Sequence, residues 1–107
     1  MGETNLIRRW LEARSRRQLE ETAELLQRLH AFIDGLNGRL TPSSSRSIYE
    51  FASVGEWELA IDDIWQDVDD GALELSASER VELTAMTRHP NVNRSILSAG
   101  KKHLVDA

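Results

Sequence analysis

Gly55-Glu56-Trp57-Glu58-Leu59-Ala60-Ile61-Asp62-Asp63-Ile64-Trp65-Gln66-Asp67-Val68-Asp69-Asp70 is the stretch from which the rest of the chain is read. Trp57, Ala60, Ile61, Ile64, Trp65 and Val68 recur at spacings of three and four, which places them on one face of a helix. Glu56, Glu58, Asp62, Asp63, Asp67, Asp69 and Asp70 fall on the rest of the circumference. Leu59 stands among these acids, away from the apolar stripe. The stripe predicts burial against a core. The acids predict a wet face open to a partner of opposite charge.

A chain of 107 residues makes one domain, spanning 1–107, with a real but small core. Hydrophobic residues are 40% and charged residues 29%, ordinary values that do not predict general disorder. There is no cysteine, so disulfides, thiolate zinc sites and a cysteine nucleophile are excluded together. No apolar run approaches the roughly 20 residues that span a bilayer. The start, Met1-Gly2-Glu3-Thr4-Asn5, lacks the basic-then-apolar order of a signal peptide. The expectation is a cytoplasmic protein that does not engage a membrane.

The net charge of −5 hides an uneven distribution. Residues 1–46 carry eight arginines against six acids, a net of +2. Residues 47–82 carry Arg80 alone against eleven acids, a net of −10, and residues 83–107 return to +3. A block of −10 in a third of the chain repels nucleic acid and attracts a basic partner. The plainer reading is that these acids keep a small protein soluble.

The pattern predicts an all-α bundle of four or five helices with a long N-terminal helix. That helix runs from Asn5 to about Leu36. Leu6, Ile7, Trp10 and Leu11 form a first apolar patch. Leu19, Ala23, Leu26, Leu29 and Ile33 continue it, widened by Leu25, Phe32 and Leu36. Arg14-Ser15-Arg16-Arg17-Gln18 between them is read as continuous helix, because no Gly or Pro interrupts it. Arg16 with Glu20 and Arg17 with Glu21 are i,i+4 pairs on an exposed face. Gly35, Asn37 and Gly38 end the helix. Thr41 to Arg46 reads as a flexible loop whose serines cap a short helix bearing Ile48, Tyr49, Phe51 and Ala52, which Gly55 closes. The acidic helix follows and stops at Gly71. Ser76-Ala77-Ser78-Glu79 is a capping box. It opens a helix from about Ala77 to Arg88 that buries Val81 and Ala85, with Leu83 and Met86 beside them. Pro90 ends it. Residues 91–107 are expected to be a frayed or loosely ordered tail. No strand pattern and no repeat occurs.

No catalytic arrangement emerges, and the expectation is a protein that is not an enzyme. The glycines are isolated and cradle no phosphate. His30, His89 and His103 are scattered, His30 at the edge of the first helix's buried stripe. Asp62, Asp63, Asp67, Asp69 and Asp70 lie on a straight helix, whereas a calcium site wants a looped ligand ring, so no metal and no cofactor is expected. Arg8, Arg9, Arg14, Arg16 and Arg17 read as a solvated face, since the overall charge has the wrong sign for a nucleic-acid binder. Trp10 and Trp57 read as core. Trp65, next to acids at the edge of its stripe, reads equally as core or as a partly exposed anchor, since tryptophan is common in binding hot spots.

Tyr49-Glu50-Phe51, then Val54-Gly55-Glu56-Trp57-Glu58-Leu59-Ala60-Ile61-Asp62-Asp63-Ile64, then Leu75-Ser76 and Glu79 before an apolar helix, resembles the MafI-type immunity proteins of bacterial polymorphic toxin systems. The likeness covers about residues 48–86; the arginine-bearing first helix and the segment after Pro90 depart from it. It implies a small helical protein that binds a cognate toxin in the producer's cytoplasm and blocks it. Many such toxins are nucleases with basic grooves, which an acidic helix fills by charge complementarity. The contact residues it points to are Glu56, Leu59, Asp62, Asp63, Asp67 and Asp70, with Trp65 as an anchor. The partner is then a basic protein, with the chain a monomer or weak homodimer that binds no nucleic acid. Two other readings stay open: a helical adaptor or self-associating structural protein paired through its long first helix, and a small nucleic-acid-binding regulator using the arginines.

Overall fold

The computed structural model describes residues 2–104, and within them the side chains of Leu6, Arg8, Arg9, Glu12 and residues 16–104. Five α-helices follow one another: α1 (Gly2–Gly35), α2 (Pro42–Ser53), α3 (Trp57–Asp69), α4 (Ala77–Thr87) and α5 (Ala99–Lys102), with a 3-10 turn at Arg94–Ile96 before α5. Among the described residues there is no strand. No helix there is long and apolar enough to cross a membrane.

Local chemistry sets the helix ends. Thr41 accepts a hydrogen bond from the Ser44 amide at 3.2 Å, and Pro42 occupies the first helical position, where its missing N–H costs nothing. The expected loop at Thr41–Arg46 is therefore mostly helix: the cap is Thr41, and the serines lie in the first turn. Gly55 takes φ +78° and turns the chain from α2 into α3, a conformation that favours glycine. The capping box at the start of α4 closes both ways. Ser76 Oγ accepts from the Glu79 amide at 3.1 Å, and the Ser76 amide donates to Glu79 Oε1 at 2.9 Å.

The core joins Leu25, Leu29, Phe32, Ile33 and Leu36 of α1 to Ile48 and Ala52 of α2. Ala60, Ile61, Ile64 and Trp65 of α3, Leu83 and Met86 of α4, and Val92, Leu97 and Ala99 complete it. Two helices depart in part from the expected burial. On α1, Leu19 is 69% exposed and Ala23 is also exposed, because the buried stripe follows Leu25, Leu29, Phe32 and Leu36. Leu19 lies six residues from Leu25, about 120° round the helix. His30, expected at the stripe's edge, is likewise exposed. On α4, Val81 is 70% exposed and Ala85 is exposed, while Leu83, Met86 and Thr87 face inward. Burial of Leu83 and Met86 sets the rotation of α4, and two ion pairs accord with it. Arg28 Nε of α1 donates to Glu82 Oε1 at 2.9 Å, and the Arg39 guanidinium makes a two-point contact with the Glu79 carboxylate. The anticipated pairs Arg16–Glu20 and Arg17–Glu21 are not among the ion pairs formed.

α1 outruns the body it packs on. Its 34 residues make a rod about 51 Å long at 1.5 Å per residue. The molecule measures 60 × 28 × 23 Å. Asn91 Nδ2 donates to Thr22 Oγ1 at 2.9 Å and to the Gln18 carbonyl at 3.4 Å, and these are the hydrogen bonds nearest the N-terminus that tie α1 to another element among the described residues. Leu6, Arg8, Arg9 and Glu12 are exposed. The burial expected for Trp10, and for the patch it forms with Ile7 and Leu11, lies outside the described side chains.

Candidate functional site

α3 buries Ala60, Ile61, Ile64 and Trp65 and leaves two acidic edges, which have different fates. The first edge carries Glu58, Asp62, Trp65 and Asp69, at i, i+4, i+7 and i+11. The segment after Pro90 lies along it. Glu58 Oε2 accepts from the Asn93 amide at 3.1 Å. Asp62 Oδ1 accepts from the Ser98 amide at 2.9 Å and the Gly100 amide at 2.8 Å. Asp69 Oδ1 meets His103 Nε2 at 2.8 Å. Between them Trp65 is fully buried. Its Nε1 donates to Thr87 Oγ1 at 2.9 Å, and the His103 ring stacks on it with centroids 3.8 Å apart and planes 12° from parallel. A methyl group at Gly100 would stand 3.1 Å from Trp65 Cδ1 and 3.3 Å from Asp62 Oδ1, so the chain passes closely only because that residue has no side chain.

This arrangement corrects four expectations. The segment after Pro90 is docked as far as Leu104, and residues 105–107 of the expected tail lie outside the described residues. Trp65 is not an exposed anchor, because a ring of that size beside Leu97 and Gly100 is worth more to the core than to a wet edge. Asp62 is not a free contact acid, since one of its oxygens already holds two backbone amides. Glu58, expected on the wet circumference, is 7% exposed. A carboxylate that accepts backbone N–H bonds replaces the water it gives up, and each such bond contributes about 1.5–3 kcal/mol.

The second edge carries Leu59, Asp63, Gln66 and Asp70, again at i, i+4, i+7 and i+11. Leu59 and Asp63 are half-buried, and Gln66 and Asp70 are exposed. The carboxylates here hold only neutral side chains. Ser47 Oγ donates to Asp63 Oδ2 at 2.8 Å, and Gln66 Nε2 donates to Asp70 Oδ1 at 2.9 Å. Glu56 is exposed at the cap of α3. Asp67 is half-buried, and its carboxylate has no hydrogen-bond partner among the described residues. Of the seven residues singled out in the sequence, the helix thus brings Leu59, Asp63 and Asp70 onto one open edge with Glu56 and Asp67 flanking it. It turns Asp62 and Trp65 to the other side.

Reading the sequence alone missed Glu58, Asp69, His103 and Gly100 as a set. A signal was present: Glu58, Asp62 and Asp69 share one edge by spacing, and Lys101-Lys102-His103 is the basic run nearest the C-terminus. Elsewhere, the Arg39 guanidinium, through its hydrogen bonds, and the Ser76 amide hold the Glu79 carboxyl down at about 2. That pair joins the turn after α1 to α4 and lies away from α3. No group of three or more His, Cys, Asp or Glu side chains converges as a metal site among the described residues. No protein family, no characterised protein and no solved structure matches this chain.

Proposed function

We propose that this protein acts by binding another protein, as an immunity protein that neutralises a basic bacterial toxin, and that the open edge of α3 is its contact surface. The observation that carries the reading is the division of labour on α3. One acidic edge is used up inside the molecule. The other offers Asp63 and Asp70 in line after Leu59, with Glu56 and Asp67 beside them, and its carboxylates meet only neutral hydroxyl and amide groups. Such an edge suits a cationic groove: the charges steer encounter, and Leu59 supplies an apolar contact at its N-terminal end. The likeness of residues 48–86 to immunity proteins supports the toxin as partner, and a nuclease groove has the required sign.

The test is co-purification of the tagged protein with a basic protein encoded beside it, followed by association kinetics. The Asp63→Asn/Asp70→Asn variant should slow association by about tenfold or more at low ionic strength, with the difference closing as salt is added. Asp62→Asn should act through folding and not through encounter. A partner whose association ignores the Asp63/Asp70 pair removes this surface from the account. Absence of any basic partner removes the toxin.

A further inference from the structure

We propose that Asn37 is a site of spontaneous modification, a deamidation to aspartate and isoaspartate that the fold permits at one Asx-Gly pair and blocks at two others. The reaction joins the amide nitrogen of one residue to the side-chain carbonyl carbon of the Asn or Asp before it. Glycine, with no Cβ, hinders that approach least. The chain has three such pairs: Asp34-Gly35, Asn37-Gly38 and Asp70-Gly71. Gly35 is the last residue of α1, where an amide points back to the carbonyl four residues before it. The Gly71 amide donates to the Val68 carbonyl at 3.1 Å. Both acids of these pairs are also held. Asp34 Oδ1 accepts from the Tyr49 hydroxyl at 2.8 Å, and Asp70 Oδ1 accepts from Gln66 Nε2 at 2.9 Å.

Asn37 differs on each count. It is exposed in the turn after α1. Its own amide donates to the Asp34 carbonyl at 3.2 Å, and the Arg39 amide donates to the Leu36 carbonyl at 3.0 Å. The Gly38 amide between them, at φ +85°, makes no hydrogen bond among the described residues, and neither does the Asn37 side chain. An exposed N–H without an acceptor is open to deprotonation by hydroxide. The Gly38 nitrogen then bonds to Asn37 Cγ, the Cγ–Nδ2 bond breaks, and ammonia leaves with a proton from water. Water opens the cyclic imide at either carbonyl. Aspartate forms when the new Cγ–N bond breaks, and isoaspartate when the original peptide bond breaks. No electrons are transferred, and water is the sole co-reactant. Both products add a negative charge. Isoaspartate also routes the main chain through Cβ and Cγ, which lengthens the turn. Arg39 follows directly, and its guanidinium donates to the Gly35 carbonyl at 2.8 Å and to the Glu79 carboxylate. A longer turn shifts that anchor and loosens the tie between the end of α1 and α4. The inference stands apart from the partner proposed above.

Incubation of the native protein in mildly alkaline buffer, followed by fragment mass spectrometry and isoaspartyl methyltransferase labelling, tests it. Residue 37 should gain about one mass unit, and the intact protein should elute more acidic on ion exchange. Methyl label should appear at residue 37 and not at Asp34 or Asp70. Asn37→Gln, treated alike, should gain neither mass nor label. The converted fraction should melt below the fresh protein, and that gap should shrink in the Glu79→Gln background, where the Arg39 anchor is already weakened. A native chain that stays unchanged under conditions that convert the urea-unfolded chain overturns the proposal. So does label that arises first at Asp34 or Asp70. A converted fraction that melts with the fresh protein overturns the link to Arg39.

Discussion

The two edges of α3 carry aspartates at the same spacing, Asp62 and Asp69 on one and Asp63 and Asp70 on the other, and do different things. Glu58, Asp62 and Asp69 face a returning segment of chain, and each accepts hydrogen bonds from it. Asp63 and Asp70 face a serine hydroxyl and a glutamine amide. An acid's role here is set by what the rest of the chain brings to it. The two pairs sit at the same spacing on one helix, so Asp62 and Asp63, neighbours in sequence, point to different destinies. A charge pattern on a helix says that a partner is wanted. It does not say whether the partner is another molecule or the chain itself.

Substitutions that separate the edges sharpen this contrast. Asp62→Ala strands two backbone amides and should cost about 2–4 kcal/mol, with the segment after Pro90 loosened. For a chain of this size that is a fall of about 10–25 °C in Tm, read by circular dichroism. Gly100→Val drives a side chain into Trp65, which is fully buried and has nowhere to go, and should cost about 1–3 kcal/mol. The Trp65 emission should shift to the red in both variants. Glu79→Gln tests a link remote from either edge. The Glu79 carboxyl lies at about 2 in the folded protein against an ordinary 4.5, so its stabilisation is complete above about 4.5 and is lost as pH falls towards 2. The Tm gap between wild type and Glu79→Gln should therefore be widest above pH 4.5 and close in acid. Asp63→Asn with Asp70→Asn should change stability least, within about 0.5 kcal/mol per site. If the last pair instead costs as much as Asp62→Ala, the two edges are not distinct.

The sequence made the helix boundaries legible and left the rotations hidden. The capping box at Ser76–Glu79 and the turn at Gly55 are local chemistry, complete within a few residues, whereas the start of α2 at Pro42 was read as loop. The phase of α4 was not legible, because Val81 and Ala85 fit an apolar stripe as well as Leu83 and Met86 do, and the partners that meet its inner side, Arg28 and Arg39 among them, come from 54 and 40 residues away. Leu19 and Ala23 were placed inward because they extend an apolar pattern, but it is their neighbours Gln18 and Thr22 that meet the body there, through Asn91. The largest loss was the docked C-terminal segment. Its bonds to α3 come mainly from backbone amides, which leave no trace in residue type, and only Gly100 and His103 hint at it. On the candidate site, the acidic open edge was visible from spacing. The withdrawal of Asp62 and Trp65 from it was not, since both are claimed by residues more than 20 positions away.

Amide hydrogen exchange at Ser98 and Gly100 tests the division between the edges most directly. Both N–H groups donate to Asp62 Oδ1, so they should exchange as slowly as the interior amides of α3 and become fast together in Asp62→Asn. Fast exchange of both in the wild-type protein would mean that Asp62 does not hold the segment, and that both edges of the helix are open.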